Sequence, residues 1–180
     1  MPNNSVIVVQ NHKSVYTVGE DIEIKFVAFN STGNLDIYIN GKYIKTLNPN
    51  PDVEHAVSFD NLPVGDYIIT AVLAGSQNYS GFTTQTSFEV VKNNVTISVN
   101  DTTVPAVIVV GTPVVFTAKL NETVTGDVVF NINGANYTVH VTDGNVATCQ
   151  YTPVNNDTLT VIATFLGNDK KIAISYPGLY

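Results

Sequence analysis

Three histidines, one cysteine and scattered carboxylates are what this chain offers for chemistry. His12, His55 and His140 stand far apart, and none lies at metal-ligand spacing from another histidine or from Cys149. Acid-base catalysis needs paired carboxylates, or a histidine with an orienting partner in a cleft, and spacing alone shows neither. No serine sits on a nucleophile elbow, no glycine loop is shaped to cradle phosphate, and no dinucleotide fingerprint is present. Glu20-Asp21, Asp52 with Glu54, and Asn155-Asn156-Asp157 could lend oxygens to calcium, but no spacing matches a defined calcium loop and solvated turns account for them. The expectation is a chain without catalytic residues, metal or cofactor.

A second kind of chemistry is modification. Eight Asn-x-Ser/Thr tripeptides occur, at Asn3, Asn30, Asn78, Asn94, Asn100, Asn121, Asn136 and Asn156. In an exported protein some of these would carry glycans, although a chain rich in Asn and Thr also makes the tripeptide by chance.

The elements that position these residues follow from composition and period. The chain has 180 residues, 44% hydrophobic and only 13% charged, which is enough apolar material for two cores of about 90 residues and too little charge for disorder. A formal net charge of -7 repels phosphate backbones, so nucleic acid is not an expected partner. No apolar run approaches 18 residues and no basic amphipathic stretch exists, so direct membrane contact is not expected either. The start, Met1-Pro2-Asn3-Asn4, has no signal-peptide pattern; if the protein is exported, the signal and anchor lie outside this segment. A single cysteine leaves both domains to be held by packing alone.

Three blocks recur in the same order. Tyr16-Thr17-Val18-Gly19 is echoed by Ile108-Val109-Val110-Gly111, Gly33 to Gly41 by Gly126 to Gly134, and Ile69 to Gly75 by Val161 to Gly167, at offsets of 92 or 93. A repeat of that length is one small domain, so the domains are expected at 1–91 and 92–180. Within each, apolar residues alternate with period two, as Ile22, Ile24, Phe26 and Ala28 do with Glu23, Lys25 and Val27. Asn40-Gly41 and Asn133-Gly134 separate such runs and tolerate the positive φ angles of a type I′ hairpin. The strands are expected near 5–9, 15–18, 21–30, 34–40, 42–47, 54–59, 66–74 and 83–91. In the second repeat they are expected near 95–99, 107–110, 113–120, 126–132, 135–142, 145–151, 158–166 and 171–176. That pattern predicts an all-β chain of two tandem immunoglobulin-like antiparallel β-sandwiches.

Leu62-Pro63-Val64-Gly65-Asp66-Tyr67 reads as a tyrosine corner, with the Tyr67 hydroxyl bonding back to nearby backbone. The second repeat has Val154-Asn155-Asn156-Asp157-Thr158-Leu159 there and should hold a looser loop. The join near Lys92-Asn93-Asn94 has no Gly, Ser or Pro run and predicts a short connector. Thirteen residues from Gly75 reach Phe88, whereas thirteen from Gly167 reach Tyr180, so the last strand of the second domain is expected to be short, over 171–176, or missing.

The Val-Gly turn before an alternating strand, the Ile-Asn-Gly hairpin and the run Gly65-Asp66-Tyr67-Ile68-Ile69-Thr70-Ala71-Val72-Leu73-Ala74-Gly75-Ser76-Gln77-Asn78-Tyr79 together resemble group 3 bacterial Ig-like repeats. Such repeats occur in large adhesin-like surface proteins, especially of methanogenic archaea. The resemblance implies a stalk or attachment role outside the cell, with neighbouring repeats of the same protein and a surface protein or glycan receptor as partners. It brings no catalytic residues.

Two covalent devices of surface adhesins can be tested against the repeat. Cys149-Gln150 could form an internal thioester, but Cys149 aligns with Val57 and faces the core, while its neighbour faces the other way. Lys25 and Lys119 sit where an isopeptide lysine could, yet alternation points both outward. The rival to a stalk is a carbohydrate-binding module or an enzyme accessory domain. It is motivated by Tyr38 and Tyr43, which flank one hairpin and could stack a sugar.

Overall fold

The computed structural model describes residues 1–48, 50, 52–99 and 107–179. They form thirteen β-strands and two compact units, Met1–Val91 and Lys92–Tyr180.

The first unit holds β1 (Val6–Val9), β2 (Val15–Thr17), β3 (Ile22–Phe29), β4 (Leu35–Ile39), β5 (Lys42–Leu47), β6 (Glu54–Phe59), β7 (Gly65–Leu73) and β8 (Phe82–Val91). One sheet has the order β1-β3-β6 and the other β2-β8-β7-β4-β5. All these pairings are antiparallel except that of β2 with β8, which is parallel. Alternation becomes burial directly: Ile22, Ile24 and Phe26 of β3 face Leu35, Ile37, Ile69 and Ala71 of the opposite sheet in one cluster, each at most 1% exposed. Val27 departs from the alternation. It lies on the outer face yet is buried, between Val8 and Glu54 on the flanking strands.

The second unit holds β9 (Ile97–Val99), β10 (Val114–Ile132), β11 (Ala135–Tyr151), β12 (Thr160–Phe165) and β13 (Ile174–Leu179). Here the sequence expectation needs correction. The strands expected at 113–120 and 126–132 are one continuous strand of 19 residues, and those at 135–142 and 145–151 are one of 17. The chain passes from one layer to the other without leaving the ladder. Register shifts between Lys119 and Val124, and between Val124 and Gly126, supply the bend. The first half of β10 pairs with β9 and the end of β11; the second half pairs with the start of β11 and with β12, which pairs with β13. Except for a counterpart of β2, this is the strand order of the first unit, folded from two long strands in place of four. Phe116, Phe130 and Phe165, none of them exposed, fill the core between the layers.

Two further corrections concern strand positions. The closing strand is present but lies at 174–179, three residues later than expected. The segment 107–110, expected as the counterpart of β2, is not a strand. In unit 1 the corresponding segment, β2, is held by parallel pairing with Glu89, Val90 and Val91 of β8.

Candidate functional site

Both Asn-Gly hairpins use positive φ at both central residues, 47° and 79° at Asn40 and Gly41, 48° and 89° at Asn133 and Gly134. The asparagine side chains also clamp the neighbouring strand. The Asn40 Oδ1 accepts the Ile68 N–H at 2.8 Å, and the Asn133 Oδ1 accepts the Thr160 N–H at 2.8 Å. At the corner before β7 the Tyr67 hydroxyl donates to the Pro63 carbonyl at 2.7 Å, and the ring stacks on Phe88 with centroids 5.5 Å apart. The corresponding loop at 154–158 is exposed throughout.

The histidines gain partners that spacing did not show. Asp127 stands directly across from His140, and His140 Nδ1 lies 2.6 Å from Asp127 Oδ1. Counting outward from the Asn133-Gly134 turn would have found this pair. It lies on an open strand face, with side chains 60% and 45% exposed, so it has neither the enclosure nor the nucleophile that a hydrolytic site needs. His12 Nε2 lies 2.6 Å from Thr86 Oγ1. His55 points its Nε2 inward without a hydrogen-bond partner.

The described residues include two open depressions. One, of about 570 Å³ in unit 1, is lined by His12, Lys13, Tyr16, Asp21, Glu23 and Lys25. Its lysines are already engaged: Lys13 Nζ lies 2.5 Å from Glu20, and Lys25 lies 3.0 Å from Glu54 and 3.5 Å from Glu23. The Glu20 hydrogen bond and charge raise the Lys13 pKa, and the same contact lowers that of Glu20. Lys25 is raised chiefly by Glu54, as expected of an outward lysine in an exposed ion pair. Lys119 is exposed.

The other depression, about 470 Å³ in unit 2, lies beside Val124, Asp143 and the turn 168–171. That turn is internally satisfied. Asn168 Oδ1 accepts the N–H groups of Lys170 and Lys171 at 2.8 Å, and its Nδ2 donates to Thr125 O at 2.9 Å. Lys171 pairs with Glu122 at 2.7 Å. Among the described residues no three His, Cys, Asp or Glu side chains come together as metal ligands.

Cys149 lies in the core cluster, 6% exposed, opposite Phe116, as Val57 lies opposite Ile24. Burial raises its thiol pKa, which disfavours the reactive thiolate. Tyr38 and Tyr43 meet edge to face, rings inclined at 74° with centroids 5.8 Å apart, so they do not form a flat stacking platform. The sequon asparagines Asn3, Asn30, Asn78, Asn94, Asn121, Asn136 and Asn156 are all exposed, and Asn100 lies outside the described residues. Three of the exposed side chains are engaged locally: Asn30 Nδ2 donates to Asn4 O, Asn121 Oδ1 accepts from Thr96 N–H, and Asn136 Oδ1 accepts from Asn131 Nδ2.

No family model matches the chain, and no curated protein matches it. Among solved structures, the fibronectin(III)-like modules of Clostridium thermocellum CbhA are similar at TM-score 0.42 and 15% identity, covering 97% of this chain and 91% of that one. A 1.5-MDa bacterial ice-binding adhesin is similar at 0.41 and 16%, covering 99% and 64%. Rst D1-D2 is similar at 0.43 and 9%, covering 96% and 97%. At these scores the likenesses carry no functional argument; the all-β architecture rests on the strands themselves.

Proposed function

We propose that this chain is a structural and adhesive segment of an extracellular surface protein, made of repeats of the group 3 bacterial Ig-like kind, which bears tension and catalyses nothing. Its partners are neighbouring repeats along the same protein and a surface protein or glycan receptor.

The observation that carries this reading is the parallel pairing of β2 with β8. These strands lie near the entry and exit of unit 1. Tension pulls β2 toward its N-terminus and β8 toward its C-terminus, and in a parallel pair those pulls oppose each other along one axis. The bridging bonds, including Glu89 N–H to Ser14 O and Val18 N–H to Val91 O, both 2.9 Å, are then loaded together in shear. An antiparallel terminal pair would open one bond at a time.

Single-molecule pulling tests this. Val18→Pro removes one donor from the pair, and the rupture force of one of the two units should fall while the other is unchanged. Equal forces in the wild type and a folded Val18→Pro variant would refute the mechanical reading.

A further inference from the structure

The loop at 154–158 stands where unit 1 has its tyrosine corner. Leu159 occupies the place of Tyr67; it is buried, but it has no hydroxyl to tie the loop back as Tyr67 is tied to Pro63 O. Among the described residues the loop keeps a single hydrogen bond, from the Asp157 N–H to Asn155 Oδ1 at 3.3 Å. All its residues are exposed, Val154 at 81%. A segment held by so few bonds opens locally at little cost.

This loop carries the sequon Asn156-Asp157-Thr158. Glycan transfer needs the asparagine Nδ2 free and the hydroxyl two residues on drawn up beside it, so the backbone between them must be able to turn. Among the described residues neither the Asn156 amide nor the Thr158 hydroxyl has a hydrogen-bond partner.

Every other described sequon is locked at one or more of those points. Three of them interlock in unit 1. Ser5, the hydroxyl residue of the Asn3 sequon, is 3% exposed and donates its hydroxyl to Asn30 O at 2.6 Å. Its N–H donates to Ser80 Oγ, the hydroxyl of the Asn78 sequon, at 3.2 Å, and Asn30 Nδ2 donates to Asn4 O at 3.3 Å. In unit 2 the Asn94 and Asn121 sequons hold each other. Asn121 Oδ1 accepts the Thr96 N–H at 2.8 Å, the Asn121 N–H donates to Thr96 O at 3.1 Å, and Val95 between Asn94 and Thr96 is buried in the core. Asn136 lies in β11, laddered to β10, with its Oδ1 taken by Asn131 Nδ2 at 2.6 Å.

We infer that Asn156 is, among the described sequons, the site at which the folded chain accepts an N-linked oligosaccharide. The donor is an oligosaccharide carried on a polyprenyl diphosphate, and an oligosaccharyltransferase makes the transfer. A bond forms between Asn156 Nδ2 and the anomeric carbon. The bond from that carbon to the diphosphate oxygen breaks, polyprenyl diphosphate leaves with the electron pair, and one Nδ2 proton passes to a base of the enzyme. The inference rests on the extracellular reading only for the meeting of chain and donor; the acceptor geometry is tested without it.

The test incubates the purified, folded chain with a single-subunit oligosaccharyltransferase and its polyprenyl-linked donor, and reads occupancy at each sequon by glycopeptide mass spectrometry. Asn156 should fill about tenfold faster than Asn3, Asn30, Asn78, Asn94, Asn121 or Asn136, because its loop opens without breaking a ladder or a buried contact. In short synthetic peptides spanning each sequon, where no fold holds the acceptor, the rates should lie within about threefold of one another. Thr158→Ala, at an exposed position, should abolish transfer to Asn156. No transfer to Asn156 in the folded chain, another described sequon filling as fast, or the same ranking in the peptides would overturn the proposal.

Discussion

Asn40 sits in the left-handed region at φ 47° and accepts the Ile68 N–H through its side chain at 2.8 Å, tying the β4–β5 turn to β7. Its Nδ2 also donates to Asp66 O at 3.1 Å, so one amide bridges two points of the neighbouring strand. The residue serves the turn and the sheet at once, which is more than the turn rule alone asks of it. Asn40→Gly keeps the permitted φ and removes the bridge; it should cost about 1–2 kcal/mol. Asn40→Ala adds left-handed strain of roughly 1 kcal/mol more. Denaturant titration of both variants would check the order, and an Ala variant as stable as the Gly variant would contradict it.

Tyr67 contributes through its hydroxyl and its ring separately. Tyr67→Phe keeps the stack on Phe88 and loses the bond to Pro63 O, an expected loss of about 1 kcal/mol. Tyr67→Ala loses both and should cost about 3 kcal/mol or more. Thermal unfolding of the two variants separates the contributions.

Gly167 and Gly41 differ in surroundings though not in backbone, with φ 78° and 79°. A Cβ at Gly167 would lie 2.8 Å from Ala173 N and from Lys171 O, while one at Gly41 meets nothing within 4 Å. Gly41→Ala should therefore cost about 1 kcal/mol, the left-handed strain alone, and Gly167→Ala clearly more. Comparable losses at the two positions would contradict the packed turn at 167–173.

Cys149 links stability to alkaline pH. Its folded pKa is raised by burial, so its contribution to stability is fully present below the ordinary thiol pKa and is lost as pH rises through the folded value. Stability should decline above about pH 8.5, and Cys149→Val should flatten that decline. Native chain should resist a thiol reagent at neutral pH and react on unfolding.

Much of this fold could be read from spacing, and the exceptions have identifiable causes. Alternation located β3 and the cores because each strand buries one face. The Asn-Gly turns fixed register, and symmetric counting about Asn133-Gly134 pairs Ile132 with Ala135, Asn131 with Asn136 and Asp127 with His140. The junction inside β10 was hidden because the turn-forming residues Asn121 and Gly126 bracket it, while Leu120 and Val124, 1% and 4% exposed, mark the strand that runs through. Residues 107–110 show the reverse. Their composition suits a strand, but a strand also needs a ladder partner such as β8 gives β2. The ion pair of Lys171 with Glu122 joins residues 49 apart in sequence and left no periodic trace.

Pulling the chain by its two ends is the most direct measurement. Two force peaks are predicted, each releasing about 30 nm of chain, the extended length of one 90-residue unit at roughly 3.3–3.6 Å per residue. A single release of about 60 nm, or extension without a peak, would contradict two separately folded, tension-bearing units.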